Sequence, residues 1–519
     1  MDNQDKNETY QEFEARFNKK QEGKTQKRLA ELEGEFPLQE RLLRFEQERA
    51  KKKAEQGLKE LNEFDGGEEP VDTSGFKPIT AAEIVDVLGQ TIKKDETNKL
   101  LTFFTEISAY TENCQLNISF NAPSSSGKSF IPTEIASLFP EKDVIEVGYC
   151  SPTAFFHSIG AFDKEKQGYT VDLSRKILIF LDQPHTQLLQ HLRPLLSHDK
   201  KEILIKITDK SQKVGLRTKN IYLKGFPAVI FCTAGLNLDE QEATRFLLLS
   251  PEINQEKIRQ AIFEKIKKEA DSFSYKNELN SDPKRQRFIQ RILAIKQEKI
   301  AEIKLSNPEL FKTLLLERIK TFKPRHQRDV NRIISLTKIF ALLNLWFRER
   351  NGVVITANEE DIREAFRIWD LVSESQELNL PPYVLNIFKE VIIPKFLEKN
   401  QGVQNIGEGL VGLTRKDIAD KHYQVYGRIM ADWMLRQQIL PLLETVGLIT
   451  QESDPDDKRK ILIYPTTSLT VSPGQNNSES DGGVEAKTID QLTEDEQLEA
   501  CKEIFGEGTK WAEENGQHA

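Results

Sequence analysis

The sequence predicts an α/β fold, followed by a helical region and by a small domain of helices and two strands. Between residues 79 and 255, short apolar runs alternate with helical patterns, as is typical of a parallel sheet covered by helices. Strand signals are lost after about residue 251, and residues 256–375 have helical spacing of their apolar positions. Within residues 376–466 the pattern becomes mixed again.

Length and composition indicate several globular units in a cytoplasmic protein. A chain of 519 residues exceeds what one domain usually holds. No apolar run approaches the roughly 18 residues of a membrane span, and the first residues have no signal-peptide character. The four cysteines are scattered without a Cys-x-x-Cys pair, so neither a zinc site nor a disulfide framework is indicated. We therefore expect no membrane partner.

The two ends of the chain differ in composition from its middle. Residues 1–70 are rich in Glu, Lys, Arg and Gln with sparse apolar positions, which predicts a charged helical arm. A solvated arm is the simpler interpretation, and a partner-binding coil is the alternative. Residues 467–519 contain twelve acidic residues and three lysines, which accounts for the whole net charge of −9 and predicts a disordered tail. Basic surfaces elsewhere are therefore compatible with the net charge.

A phosphate-binding loop is predicted after the first strand of the α/β region. The segment NAPSSSGKS occupies residues 121–129, between a strand-like run at 116–120 and a helical pattern at 130–138. A strand, a loop of small residues and a Gly-Lys-Ser that opens a helix are the context of a P-loop. Backbone N–H groups in such a loop face phosphates. A chance Gly-Lys-Ser in a serine-rich turn is the alternative interpretation.

The loop positions have expected roles in binding ATP and Mg²⁺. Lys128 can reach the β- and γ-phosphates, and the Ser129 hydroxyl can ligate Mg²⁺. Ala122 stands where the motif usually has its first glycine, a departure that the motif tolerates. The residues expected to surround the nucleotide are Ala122, Pro123, Ser124, Ser125, Ser126, Gly127, Lys128 and Ser129.

A second nucleotide motif is predicted at the end of the apolar run 177–181. Asp182 follows this run, where a carboxylate would join the Mg²⁺ shell. In most such ATPases a glutamate comes next and orients the attacking water, whereas this chain has Gln183. A glutamine cannot act as a base, although in some GTPases it positions the water. We therefore expect slow hydrolysis or help from a carboxylate elsewhere; a turn cap before Pro184 is the alternative role of Asp182.

A hairpin is predicted between this motif and the next apolar strand at 228–232. Its strands cover residues 202–208 and 216–223, and the polar turn between them contains Lys210 and Lys213. Taken alone, this pattern is most simply an ordinary surface hairpin with solvated lysines.

The order of these motifs resembles that of the AAA+ ATPases, and among them of the minichromosome maintenance helicases and their relatives on mobile elements. Three further segments contribute to the resemblance: TAGLN at 233–237, TRF at 244–246 and RDVNR at 328–332. The resemblance covers roughly residues 81–465 and depends on order and spacing more than on residue identity. The chain departs from the family at Gln183 and in having the charged arm in place of an oligonucleotide-binding domain with zinc ligands.

The resemblance implies roles for residues outside the loop. It implies a ring, expected to be a hexamer, in which Arg245 reaches the γ-phosphate bound to the neighbouring subunit. It also implies that Arg328 is the second sensor and that Asn237 or Thr233 is the first. The simpler alternatives are a surface salt bridge for Arg245 and a helix-start position near Asp329 for Arg328.

DNA contacts are expected at two places. In the resembled family, the hairpin before the sensor strand projects a lysine into a central channel, which implies this role for Lys210 or Lys213, with Arg217 nearby. At 413–465, a capped helix, a second helix and two strands predict a winged helix-turn-helix. The residues expected to meet phosphates from its wing are Lys458, Arg459 and Lys460. A winged helix that docks on protein is the alternative.

Together these features predict ATP-driven translocation on DNA by a replicative helicase of a plasmid, phage or integrative element. The alternative is a non-helicase AAA+ switch, an initiator or loader, that binds DNA through its winged helix and hydrolyses ATP slowly. Gln183 and the winged helix both suit that alternative. A third class is a scaffold that only binds nucleotide. Such a protein would have no common function for Asp182, Arg245 and Arg328 that explains why they occur together.

Overall fold

The computed structural model describes residues 70–152, 155, 160–164, 166–209, 217–235, 244–400, 410–455 and 457–466. Several predictions concern parts of the chain outside these ranges: the charged arm, the acidic tail, Lys210, Lys213 and Asn237. The side chain of Arg217 also lies outside the description.

The α/β region contains two N-terminal helices and then alternates strands with helices. Its elements are α1 (Ala81–Leu88), α2 (Glu96–Ser108), β1 (Asn117–Asn121), α3 (Phe130–Ala136), β2 (Val144–Val147), β3 (Ala161–Asp163), β4 (Gly168–Asp172), β5 (Ile177–Phe180), α4 (Thr186–Leu196), β6 (Glu202–Asp209), β7 (Arg217–Lys224), β8 (Ala228–Thr233) and β9 (Leu247–Leu249). Thr80 starts the first helix with a capping box that Glu83 completes.

A second region, mostly helical, follows the last of these strands. Its elements are α5 (Gln255–Ala270), α6 (Ser272–Ser281), α7 (Pro283–Gln297), β10 (Glu302–Leu305), α8 (Pro308–Arg318), α9 (His326–Leu343), β11 (Glu349–Asn351), β12 (Val354–Ala357), α10 (Glu359–Asp370) and α11 (Ser373–Glu377). The C-terminal elements are α12 (Pro382–Ile387), α13 (Ile393–Lys399), α14 (Arg415–Tyr426), α15 (Asp432–Met434), α16 (Leu440–Thr445), β13 (Ile449–Ser453) and β14 (Ile461–Pro465).

A parallel sheet of five strands forms the centre of the α/β region. The strand order is β2-β5-β8-β1-β9, and every neighbouring pair is parallel. Strands β1, β5, β8 and β9 are buried along their whole length. Strands that are buried on both faces are typical of parallel sheets covered by helices. The predicted α/β class is therefore confirmed at this level.

Two apolar cores lie on opposite faces of this sheet. Successive side chains of a strand point to opposite faces, so Ile179 enters one core and Phe180 the other. The first core also contains Phe103 of α2 and Phe288 of α7, so the helical region packs on the same face. The second core contains Leu192 of α4 together with residues of a smaller sheet.

The smaller sheet contains the predicted hairpin and two strands that the sequence pattern did not predict. Its order is β3-β4-β7-β6, in which β6 and β7 are antiparallel and β4 runs parallel to β7. The hairpin is therefore anchored through the second half of β7, from Ile221 to Lys224. Strands β3 and β4 are short and of mixed polarity, which explains why the local pattern does not reveal them.

The expectation of helices alone between residues 258 and 372 is wrong. Strands β10, β12 and β11 form a three-stranded sheet in this order. Only Ile303 of β10 and Ile355 with Ala357 of β12 enter the core, while their neighbours are more exposed. Strands this short contain too few alternations for periodicity to distinguish them from loops.

The C-terminal region has its own core of apolar side chains. Thr414 and Asp417 form the capping box at the start of α14, as the sequence predicts. The predicted helix at 430–446 consists of α15 and α16 joined by a π-helical turn, and β13 pairs antiparallel with β14. Within the described residues, no helix combines the length and the apolar character that crossing a membrane would require.

Candidate functional site

Three adjacent parallel strands place the start of the loop, Asp182 and Thr233 at one edge of the central sheet. Asn121, the last residue of β1, pairs with Thr233 at the end of β8. Phe180 of β5 pairs with Phe231, so Asp182 lies level with Thr233. Neighbouring strands are about 4.8 Å apart, so the start of the loop and Asp182 are separated by about 10 Å across this edge.

The loop after β1 has the backbone shape of an anion-binding site. Ser125 and Gly127 have φ angles of 64° and 88°, both in the left-handed region. A Cβ atom at Gly127 would meet nothing within 4 Å, so the requirement for glycine is conformational. Left-handed residues in a short loop turn successive N–H groups toward one side, as in anion-binding nests. The shielded Ser126 hydroxyl has no hydrogen-bond partner among the described residues.

Strand β8 supports both ends of this loop. The Ala122 amide donates a hydrogen bond to the Thr233 carbonyl at 3.3 Å. The Cys232 thiol donates to the Lys128 carbonyl at 3.2 Å. The loop is therefore fastened to the strand that lies between it and Asp182.

The pKa of the Cys232 thiol depends on its burial and on two nearby charges. Burial raises its pKa to about 12, the Asp182 carboxylate adds to this increase, and the Lys128 ammonium opposes it. The thiol therefore stays protonated and keeps its hydrogen bond. Because both charges act on one buried sulfur, Lys128 and Asp182 lie close to the same point of the sheet edge. Asp182 is exposed and Lys128 is partly exposed, so both side chains are accessible to a ligand.

Gln183 belongs to a short chain of hydrogen bonds. The Gly235 amide donates to the Thr233 hydroxyl at 3.0 Å, and this hydroxyl donates to Gln183 Oε1 at 3.0 Å. The backbone N–H of Gln183 in turn donates to Asp182 Oδ1 at 2.8 Å. Of the two candidates for the first sensor, Thr233 therefore contacts the residue after Asp182.

The residues at this edge suit Mg²⁺ held together with phosphate. Among the residues that the structure describes, no group of three or more His, Cys, Asp or Glu could hold a metal ion. Ser129 is exposed and makes no side-chain capping bond at the start of α3. Its hydroxyl and the Asp182 carboxylate are the hard oxygen donors that Mg²⁺ prefers, with the remaining positions taken by phosphate and water.

Arg245 lies near the amino ends of the strands, on the side of the sheet away from the loop. Ile118 of β1 pairs with Leu247 of β9, so Arg245 is level with Leu116 at the amino ends of the strands. Six strand residues separate this level from Ala122, which corresponds to about 20 Å. Arg245 Nε donates to Ser197 Oγ at 3.0 Å, just after the end of α4. Arg245 is thus remote from the loop of its own chain.

Arg328 lies beside the same segment. It is exposed in the first turn of α9, and its guanidinium donates to the Thr244 hydroxyl. The structure therefore brings the two predicted arginines to one place and separates both from Lys128.

One residue of this region was not predicted from the sequence. Arg332 is buried on α9, pairs with Asp329 at 2.9 Å, and donates to the carbonyls of Thr244 and Phe246 at 2.9 and 2.8 Å. The available signal was a second arginine one helical turn after Arg328, on the face that becomes apolar further along α9.

The three predicted wing cations lie in the turn between β13 and β14, and all are exposed. Arg459 and Lys460 pair with Asp457 at 3.0 and 3.7 Å. The hydrogen bond from Arg459 lowers the pKa of Asp457. Part of the positive charge is therefore compensated within the turn, and Lys458 has no ion pair among the described residues.

Comparisons of the chain with protein-family models and with curated proteins found no match. The function must therefore be inferred from the geometry of the site.

Proposed function

We propose that this chain is an AAA+ ATPase that assembles as a ring, expected to be a hexamer, and translocates on DNA, as the minichromosome maintenance-like helicases do. One observation supports this most strongly: Lys128, Asp182 and the Thr233–Gln183 pair meet at the carboxyl ends of three adjacent parallel strands. Ligands of open α/β sheets bind outside this edge.

Each side chain has a distinct task in this proposal. Lys128 binds the β- and γ-phosphates of ATP, while Ser129 and Asp182 hold Mg²⁺. Bound Mg²⁺ supplies positive charge to the phosphate oxygens. Gln183 orients the attacking water through its amide group but cannot accept the water's proton. Because burial keeps the Cys232 thiol protonated, this thiol remains an uncharged hydrogen-bond donor to the loop.

The separation of the arginines from their own loop supports a ring. At about 20 Å from Ala122 along the strand direction, Arg245 has no nucleotide to contact within one chain. A neighbouring subunit can supply a nucleotide if its own phosphate-binding loop faces the amino ends of the strands in this subunit. Contacts between two different surfaces generate rings when the rotation closes. An arginine placed there stabilises the charge that develops in the transition state.

Two features support DNA as the partner. The C-terminal order of α14, then α15 with α16, then β13 and β14 corresponds to a winged helix-turn-helix, whose wing would be the turn with Lys458 and Arg459. Residues 210–216, which include Lys210 and Lys213, connect the paired ends of β6 and β7. Cations at such tips contact phosphates.

The alternative function is an ATP-dependent switch, an initiator or loader with slow hydrolysis. Gln183 favours it, because its amide oxygen is already engaged by Thr233 and the position after Asp182 lacks a carboxylate. Such a protein would use ATP binding to change its contacts with DNA.

A strand-displacement assay with 3′- and 5′-tailed duplexes distinguishes the two functions. The proposed translocase unwinds one of them in the presence of Mg²⁺ and ATP, and Lys128→Ala abolishes this. Binding of ATP and DNA without unwinding supports the switch. If neither ATP nor its analogues bind, both functions are wrong.

A further inference from the structure

The outer edge of β9 is closed by side chains. Strand β9 pairs with β1 on one side only, and within the described residues no strand pairs with its other side. Arg332 donates to the carbonyls of Thr244 and Phe246 at 2.9 and 2.8 Å. Gln376 donates to the Leu248 carbonyl at 2.9 Å and accepts from its amide at 3.1 Å. These two side chains replace the hydrogen bonds of a missing strand.

The charged side chain of Arg332 is energetically unfavourable at a buried position such as this one. Its guanidinium is buried, which lowers the pKa of Arg332 to about 10 despite the opposing attraction of Asp329. The other oxygen of Asp329 accepts from Arg325 Nε at 3.1 Å, and Arg325 also donates to the Glu377 carbonyl at 3.3 Å. A buried charge is tolerated only when it is paired and hydrogen-bonded, and Arg332 has both its ion pair with Asp329 and its bonds to two carbonyls. The neutral Gln376 closes the same edge nearby, so edge closure alone does not require a charge.

The carbonyls that Arg332 holds belong to the residues on either side of Arg245. We propose that Arg332 is a positioning residue, which fixes the direction in which Arg245 is presented to the nucleotide of the neighbouring subunit. One terminal nitrogen of Arg332 binds both carbonyls, which fixes the peptide unit that precedes Arg245 and the peptide unit that follows Phe246. The short segment that carries Arg245 is therefore held at both ends. This inference rests on the proposed function, because it presupposes that Arg245 acts on a neighbour's ATP.

The same contacts join Arg245 to Arg328. Arg328 precedes Arg332 by one turn of α9, and it donates to the Thr244 hydroxyl. Helix α9 therefore contacts this segment through two arginines one turn apart, and Arg328 lies beside the residue that precedes Arg245.

The inference is tested with Arg332→Lys and the control Gln376→Met. Lysine keeps the buried charge, but its single nitrogen cannot replace the two terminal nitrogens with which Arg332 binds both carbonyls and Asp329 at once. Gln376→Met opens the same sheet edge without releasing the carbonyls beside Arg245. We expect both variants to form rings and to bind an ATP analogue within twofold of wild type. The kcat of Arg332→Lys should fall about 100-fold, the effect of a misplacement near 1 Å, while Gln376→Met keeps a kcat within threefold of wild type.

Mixed rings show on which side of the shared site the defect lies. Arg332→Lys subunits mixed with Lys128→Ala subunits should regain part of the ATPase activity, because intact loops then face intact arginines. Arg332→Lys mixed with Arg245→Ala should regain none, since both defects lie on the arginine side. If Arg332→Lys does not form rings, Arg325→Gln weakens the network from its outer end and should show the same pattern with a smaller decrease in kcat.

Three results would overturn the inference: normal kcat in Arg332→Lys, equal decreases in Arg332→Lys and Gln376→Met, or rescue of Arg332→Lys by Arg245→Ala. Normal kcat in Arg245→Ala itself would instead disprove the shared site, so failure of the inference and failure of the proposed function give different results.

Discussion

The Thr233 hydroxyl donates a 3.0 Å hydrogen bond to the side-chain oxygen of Gln183. This bond joins the end of β8 to the residue that follows Asp182, and the Gly235 amide fixes Thr233 in turn. Because the oxygen of Gln183 accepts from Thr233, its amino group is the part that can meet water or phosphate. In the proposed ATPase, the orientation of this amide decides how Gln183 can position the attacking water.

Changing Gln183 to Glu distinguishes a translocase from a switch. In the proposed translocase, Gln183 orients the water, and a second carboxylate beside Asp182 should slow DNA-stimulated hydrolysis by like-charge repulsion. In a switch with a weak water-positioning residue, the introduced carboxylate would act as a base and raise turnover by about 100-fold. Steady-state ATPase assays of wild type and Gln183→Glu, with and without single-stranded DNA, measure whether the substitution lowers or raises the turnover rate. Lack of stimulation by any nucleic acid would contradict both functions.

Arg245 should act on the ATP of a neighbouring subunit. Arg245→Ala and Lys128→Ala should each abolish most ATPase activity in uniform rings. Mixed rings should recover part of it, because some interfaces combine an intact loop with an intact arginine. The measurement is ATPase activity against mixing ratio, with mixed rings verified by mass. Absence of recovery at every ratio would count against a shared site.

Glu106 should make folding stability depend on pH. Both carboxylate oxygens are buried without a hydrogen-bond partner among the described residues, and burial together with Glu146 raises the pKa of Glu106 well above 4.5. The folded state therefore favours the protonated form, and stability falls as pH rises from about 4.5 toward the folded pKa. Glu106→Gln should remove this decrease and gain about 1 to 3 kcal/mol at neutral pH.

Thermal and denaturant unfolding between about pH 4 and pH 8 measure this difference in the free energy of unfolding. This is roughly the range over which a buried carboxyl titrates. The exposed Glu269→Gln serves as the control and should leave the pH profile unchanged. A Glu106→Gln variant with the wild-type pH profile would show that Glu106 is not held protonated.

The hairpin turn should contact nucleic acid through its lysines. The double variant Lys210→Ala/Lys213→Ala should bind single-stranded DNA with a smaller salt dependence. The log–log slope should shrink by about 0.7 to 0.9 for each phosphate that a subunit no longer neutralises. Lys304→Ala, on an exposed position of β10, is the control and should retain the wild-type slope. Wild-type salt dependence and unwinding in the double variant would remove the turn from the DNA site.

Much of the central sheet could be predicted because its strands are locally distinctive. The apolar runs that become β1, β5 and β8 stand out from their surroundings, and the caps at Thr80 and Thr414 have a clear local signature. Strands β3, β4 and β10 to β12 have three to five residues of mixed polarity. Their pairing depends on partners far along the chain, which local periodicity does not reveal.

The same contrast holds for the candidate site. Lys128 and Asp182 stand in recognisable local motifs, so their positions could be predicted. The bond between Thr233 and Gln183 joins residues 50 positions apart, and Arg332 reaches Phe246 across 86 positions. Such contacts arise only when the elements pack, and they decide how the motif residues are oriented.

Binding of Mg²⁺–ATP to the loop is the central claim, and one titration tests it most directly. Wild type, Lys128→Ala and the exposed surface control Lys312→Ala are titrated with a fluorescent, non-hydrolysable ATP analogue in the presence of Mg²⁺. We expect wild type and Lys312→Ala to bind with equal affinity. Lys128→Ala should bind about 100-fold more weakly without a decrease in thermal stability, because Lys128 contacts ligand and not the core. Equal binding by all three proteins, or no binding by wild type, would contradict the account.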